Sequence, residues 1–292
     1  MTRRVALVVL CVVVIGAPGC ASRPRVIVRD SPPPAYEAVA EGHNARAARL
    51  DRIWARAVVE LWYVDDRGRR RREQGEGHLQ IRQPSDVALS IGKLGETYAW
   101  LGTDGERVWF FDKFDTPRVA VGRVENLGEP CAEPLGLPAD PLALIDLIGA
   151  SPIPASGGET AWSDDGRFIV ASFDRRGARE RLWLDAEARL PRRVELIGPD
   201  GTDRLVAVLE DEAPVAQRDE GGFFPMLATR IEVSHEQSGT RLALHLSDAE
   251  DGRSRRGRLS DRAFDFEALR SAFRPAEVLV LDEGCERSAL DG

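Results

Sequence analysis

Between Tyr36 and Trp54 the apolar residues Tyr36, Val39, Ala40, His43, Ala47, Leu50 and Trp54 recur every three to four positions. This spacing lays one apolar stripe along a helix of about residues 35–55. Arg46, Arg49 and Arg52 fall off the stripe, and Glu37 and Glu41 interrupt the basic face that a membrane-surface helix would present, so the stripe is read as core packing. From about residue 56 the period changes to two. Strands are expected at 58–64, 78–82, 87–91, 98–101, 107–112 and 118–121, joined by Gly- and Asp-containing turns such as Asp65-Asp66-Arg67-Gly68 and Thr103-Asp104-Gly105. No long helical pattern separates them, so the sheet is predicted to be an antiparallel meander, not a parallel α/β sheet.

A proline-rich stretch from Pro130 to Pro141 interrupts the meander. Asp140-Pro141-Leu142-Ala143-Leu144-Ile145-Asp146-Leu147-Ile148-Gly149 then satisfies the helix rules, with Asp as N-cap, Pro at the first position and Gly just past the end. Its apolar residues run round most of the circumference, which predicts a helix that is sandwiched or that plugs something. Strands resume at 168–173, 181–184, 193–197, 204–209, 227–234, 241–246 and 257–259. Asp265 is placed to cap a short helix with Phe266, Leu269 and Phe273 on one side. The arginine runs at 69–72 and 253–256 read as solvated hairpin tips.

The N-terminus is of a different kind. Arg3 and Arg4 precede an uncharged run from Val5 to Ala17 that falls short of the roughly 20 residues a membrane-spanning helix needs. This is the pattern of an export signal over residues 1–19. The sequence Ala17-Pro18-Gly19-Cys20-Ala21-Ser22 resembles the lipobox of bacterial lipoproteins, which implies acylation of Cys20. A signal peptidase cutting near Gly19 or Ala21 would instead release a soluble protein. Ala21 after the cysteine implies sorting to the outer membrane, by the rule that Asp there retains a lipoprotein in the inner one. Residues 20–34, with Pro24 and Pro32-Pro33-Pro34, then form an extended tether to a single domain over 35–292.

Charge narrows the function. The chain has 40 Lys+Arg against 48 Asp+Glu, a net −8. Loss of Arg3 and Arg4 with the signal makes this 38 − 48 = −10, and an acidic domain of this kind is not a nucleic-acid binder. Such a charge makes the lipid, not electrostatics, the anchor to an anionic membrane. Cys11 leaves with the signal; Cys131 and Cys285 remain as a disulfide pair or as two free thiols. The chain carries no G-x-S-x-G, H-E-x-x-H, C-x-x-C or phosphate-cradling G-x-x-x-x-G-K motif, and no enzyme, cofactor or metal is predicted. His235 and His245, on neighbouring predicted strands, are read as a cross-strand polar pair, with a metal pair as the sharper alternative. Paired acids such as Asp65-Asp66 and Asp164-Asp165 occupy turn positions.

An N-terminal helix leading into a meander with the cadence Gly77–Arg82, Val87–Ile91, Thr97–Leu101 and Gly102-Thr-Asp-Gly-Glu-Arg-Val-Trp-Phe-Phe-Asp112 resembles the LolA/LolB lipoprotein-localisation family. The resemblance covers about residues 35–250 and rests on Asp104, Gly105, Trp109 and Asp112 most of all. It implies a mainly β (α+β) fold: a strongly curved open antiparallel sheet, a half-barrel, with an N-terminal helix and short apolar helices on the concave side. It further implies that the concave face holds acyl chains. The candidate lining is then Trp62, Trp100, Trp109, Phe111, Leu144, Ile145, Ile148, Phe168 and Trp183, all residues that ordinary core packing would also use. The expected function is a monomeric, membrane-anchored exported lipoprotein that binds lipid or an acylated lipoprotein. The alternative is an envelope lipoprotein with a structural or interaction role and no ligand cavity.

Overall fold

The computed structural model describes residues 26–285 apart from 65–67, 114–115, 128, 130, 133–140, 200, 202–203, 218–224 and 254–258. Helix α1 spans Tyr36–Ala47 and ends in a 3-10 turn, Ala48–Leu50. Six strands follow: β1 Arg52–Val64, β2 Arg70–Arg82, β3 Asp86–Lys93, β4 Glu96–Asp104, β5 Arg107–Asp112 and β6 Arg118–Arg123. After α2, Pro141–Leu147, come β7 Glu159–Trp162, β8 Phe168–Arg175, β9 Ala178–Asp185, β10 Pro191–Ile197, β11 Arg204–Pro214, β12 Met226–His235 and β13 Arg241–Asp251. Helix α3, Phe266–Phe273, and β14, Glu277–Val280, complete the order.

The strands form one open sheet of 14, in the order β14-β6-β5-β4-β3-β2-β1-β13-β12-β11-β10-β9-β8-β7. Every neighbouring pair is antiparallel except β14–β6. Its curvature follows from α2, which packs against β3 and β4 on one side and β10 on the other. In a flat sheet β3 and β10 would lie six strand spacings apart, or about 29 Å. A helix of 7 residues is about 10 Å long and about 10–12 Å across, so the sheet must curl round it to touch both. The fold is the half-barrel expected from the sequence.

Strand alternation divides the apolar residues between two faces. On the concave face, Ile53, Ala55, Ala57 and Val59 of β1, Leu79 and Ile81 of β2, Val87 and Leu89 of β3, and Leu182 and Leu184 of β9 form one large core with α1 and α2. On the convex face α3 covers Trp109, Phe111 and Val119, a second core that the sequence pattern left without a partner. The cap anticipated at Asp265 is present: its Oδ1 accepts from the Ala268 N–H at 3.0 Å. Phe266, Leu269 and Phe273 are buried, as their spacing predicted. Helix α3 therefore departs from the expectation that the short apolar helices all lie on the concave side.

Other boundaries differ for local reasons. The first helix stops at Ala47, not near residue 55, and Trp54 sits in β1 against the ring of His78 at 5.0 Å. Strand β2 starts at Arg70, so Arg70–Arg72 belong to a strand and not to a hairpin tip. Arg72 pairs with Glu60 at 2.5 Å and lies over Trp62, cross-strand contacts that a search for apolar alternation does not detect. Leu259 is not in a strand. The acids Asp65 and Asp66, the capping Asp140 and most of the arginine run at 253–256 lie outside the described residues, whereas Asp165 has the turn role expected, accepting from Ser163 Oγ at 2.6 Å. Cys131 and Cys285 form a disulfide with a Cα–Cα distance of 4.9 Å. It fastens the segment after β14 to the chain beyond β6.

Candidate functional site

The concave face is organised around α2. All seven of its residues are buried, and six are apolar; the seventh is Asp146. Gly149 ends the helix with φ +68°, donating to the Asp146 carbonyl at 2.8 Å while Ala150 N–H donates to the Ile145 carbonyl at 3.2 Å. This is a Schellman cap, and it needs glycine because a Cβ there would also meet Pro191 Cβ at 2.8 Å. The chain beyond is strapped to α1. Arg46 donates to the Gly149 carbonyl at 2.8 Å, and Asn44 exchanges two hydrogen bonds with Ile153 at 2.8 and 2.7 Å. Gln83 donates to the carbonyls of Leu50 and Ala150.

Asp146 is held from the sheet. Its side chain is 3% exposed, and Arg175, at the end of β8, donates to Oδ1 at 2.6 Å. Arg176 at the adjoining hairpin donates to Oδ2. Arg175 also pairs with Glu180 of β9 at 3.4 Å and donates to the Pro152 carbonyl at 2.6 Å. Burial lifts the Glu180 carboxyl above its ordinary range, with Arg175 opposing that shift. His43 lies beside this cluster, only 3% exposed. Its Nε2 meets the Ser151 carbonyl at 2.8 Å, and because a carbonyl only accepts, Nε2 carries the proton of the neutral ring. Burial, reinforced by Arg46, lowers its pKa to about 4.

A cleft of about 430 Å³ opens beside α2, lined by Val124, Leu127, Leu142, Ala143, Ala178 and Leu196 together with Glu125, Glu129, Asp146, Arg175, Arg176 and Glu180. Its size falls in the range of small-molecule sites. The lining joins aliphatic side chains to an ionic cluster in which four carboxylates meet two guanidiniums. No helix among the described residues is long and apolar enough to cross a membrane.

The nine lining candidates divide. Leu144, Ile145 and Ile148 are in the concave core. Trp109 and Phe111 lie on the opposite face under α3, with Trp100 packed against them. Gly102, opposite Trp109, leaves room for that indole; a Cβ would stand 2.7 Å from its Nε1. Trp62 lies on the convex face between Arg72 and Arg241, whose guanidinium carbons are 5.4 and 4.2 Å from its ring. Trp183 is covered by Arg193 at 4.2 Å. Phe168 alternates with Ile169 of the concave core and so faces outward. No single aromatic lining is formed: the concave core is mainly aliphatic, with Tyr36 and Phe173 as its buried aromatic rings, and the six aromatic candidates lie on the outer face. Sequence reasoning missed the polar tie to α2, for which the isolated Asp146 in an apolar helix was the available signal. His235 and His245 do not face each other, since His235 pairs with Leu205 and His245 with Val58 and Arg230. Among the described residues no three metal-ligating side chains converge.

No family model and no curated protein matches this sequence. Among solved structures the chain is similar to a LolA superfamily protein from Nitrosomonas europaea, at 14% identity and TM-score 0.47, over 78% of this chain and 98% of that one. It is similar to a protein domain from Vibrio parahaemolyticus named for outer membrane lipoprotein sorting, at 12% identity and TM-score 0.46, over 80% and 97% of the two chains. A DUF1329 family protein from Desulfovibrio piger is similar at 12% identity and TM-score 0.41, over 79% and 98%.

Proposed function

We propose that the protein is an exported envelope lipoprotein, anchored through acylated Cys20, that binds lipid or the acyl chains of another lipoprotein on the concave face of its half-barrel. The observation that carries this reading is the cleft of about 430 Å³ beside α2, part aliphatic and part ionic, where the sheet encloses that helix between β3 and β10. Burial of an acyl chain gains about 0.8 kcal/mol per CH₂, so uptake and release need no catalytic residue. Residues 27–34, expected to be part of a free tether, lie instead along β7 and β8, where Ile27 N–H donates to the Asp165 carbonyl at 2.8 Å, Trp162 Nε1 to the Ser31 carbonyl at 2.8 Å and Thr160 Oγ1 to the Pro34 carbonyl at 2.6 Å, so the free spacer of this reading is shorter than residues 20–34. Nothing in this reading requires a cofactor.

The experiment is native mass spectrometry of the full chain purified from membranes in mild detergent. Co-purified lipid supports binding. A clean apo mass after added lipid favours the second reading, an envelope lipoprotein with a filled core, to which the occupation of the concave face by α1 and α2 lends weight. Anchoring is tested separately: Cys20→Ser is expected to move the protein from the membrane to the soluble fraction, and persistence in the membrane overturns the lipid anchor.

A further inference from the structure

We infer that the end of the half-barrel carrying the β7–β8 turn is seated on the membrane that holds acylated Cys20, with Val26, Ile27 and Val28 in contact with the lipid. This rests on the lipid anchor proposed above and adds which part of the domain meets the bilayer.

The chain ahead of α1 is strapped to the last strand of the sheet. Besides the three hydrogen bonds made at Ile27, Ser31 and Pro34, Arg29 Nε donates to the Gly166 carbonyl at 2.9 Å, and its guanidinium carbon lies 4.8 Å from the centre of the Trp162 ring. The β7–β8 turn is shaped for this contact. Gly166 has φ +67°, and a Cβ on it would collide with the Ile27 carbonyl oxygen. Strand β7 is an edge of the sheet, where backbone groups are open to further pairing. Pro32, Pro33 and Pro34 bring no N–H to that edge, so the strap covers it without offering a new one.

The strap shortens the reach of the anchor. Five residues separate Cys20 from Val26, and six extended steps span at most about 22 Å. A chain free as far as Tyr36 would span about 58 Å. Strands here are up to 13 residues long, so the two ends of the sheet lie about 43 Å apart. Successive antiparallel strands put the β7–β8 and β9–β10 turns at one end and the β12–β13 turn at the other. The Ala186 N–H of the β9–β10 turn donates to the Arg167 carbonyl at 3.1 Å, which joins two turns of the near end. An anchor at Cys20 therefore brings that end to the bilayer.

The surface nearest the anchor is apolar. Val26, Ile27 and Val28 are 62, 39 and 81% exposed, three consecutive aliphatic residues on the stretch closest to Cys20. Such a run is unfavourable in water and gains from burial in lipid. Charge does not select the contact, since Arg29 and Arg167 stand against Asp30, Asp164 and Asp165. The patch fits a lipid surface reached through aliphatic side chains, not an oppositely charged partner.

The test uses the full-length acylated protein on phosphatidylcholine vesicles, with a fluorophore on a single introduced cysteine and nitroxide-labelled phosphatidylcholine as quencher. With Cys20 acylated and Cys131 joined to Cys285, the introduced cysteine is the free thiol. Val28, Glu187 of the β9–β10 turn and Gln237 of the β12–β13 turn are exposed, so a cysteine at each leaves the fold intact. Emission at Val28→Cys should fall at least about two-fold with the quencher, at Glu187→Cys by less, and at Gln237→Cys not at all. Gly166→Ala, which displaces the strap, should leave the protein on the vesicles and lower the quenching at Glu187→Cys to that at Gln237→Cys. If Val28→Cys or Glu187→Cys in vesicle-bound protein is quenched no more than Gln237→Cys, the orientation is overturned and the anchor stands. Undiminished Glu187→Cys quenching in the Gly166→Ala protein overturns the part played by the strap. Protein that stays off the vesicles overturns the anchor itself, and this orientation with it.

Discussion

Trp100 and Leu101 are adjacent on β4 and belong to different cores: Leu101 packs into the concave cluster around α2, and Trp100 packs on the convex face against Phe273 of α3, with ring centroids 6.3 Å apart. This part of the sheet is covered on both sides, whereas Trp62 and Trp183 are covered on the convex side by arginine side chains. The two cores can be weakened separately.

Truncation in the convex core should lower stability and leave ligand binding intact. Phe266 packs on Trp109 and Phe111 at 5.7 Å, and Phe266→Ala should cost about 3–5 kcal/mol in denaturant unfolding, with unchanged lipid affinity for the folded fraction. A loss of affinity in that fraction would show that α3 contributes to the site.

The Cys131–Cys285 disulfide closes a loop of 154 residues. Replacing both cysteines by serine should destabilise the protein by about 2–5 kcal/mol. Strand β14 should respond first, because its side chains are exposed and it borders only β6. Hydrogen exchange in the reduced protein should show early loss of protection at 277–281.

His43 should make stability depend on acid. Its pKa is about 4 in the folded protein against 6.5 as a free side chain, so the unfolded chain takes up the proton at the higher pH. The stability associated with the neutral ring is complete above pH 6.5 and is lost as pH falls towards 4, by on the order of 3 kcal/mol. His43→Gln should flatten that part of the profile; the neighbouring acids Asp146 and Glu180 remain in both proteins. An unchanged profile would overturn the assignment of this acid sensitivity to His43.

Leu94, at the β3–β4 hairpin tip, is 99% exposed and adopts φ +55°, where leucine is strained. Leu94→Gly should raise stability by about 1 kcal/mol in denaturant unfolding through relief of the backbone. An unchanged or lowered stability would show that the leucine side chain supports the turn.

The meander, the Asp265-capped helix and the apolar helix ending at Gly149 were legible because period and capping chemistry are local. The position of the aromatic residues was not. Alternation separates Trp100, Trp109 and Phe111 from Leu101 and Phe110, but both sets are apolar, and only the return of α3 from the far end of the chain decides which face each set covers. Strand β14 escaped notice because its parallel pairing with β6 joins residues remote in sequence. The tie of Asp146 to Arg175 and Arg176 was hidden for the same reason, as it forms between α2 and the β8–β9 hairpin.

The account turns on where an acyl chain lies. Photolysis of a diazirine-bearing fatty acid bound to the full-length protein, followed by peptide mapping, measures this directly. Label should concentrate on the segments containing Leu127, Leu142–Leu147 and Leu196, and excess oleate should suppress it. Label confined to the convex face, at Trp62 or Trp183, or spread without competition by oleate, would contradict the proposed site.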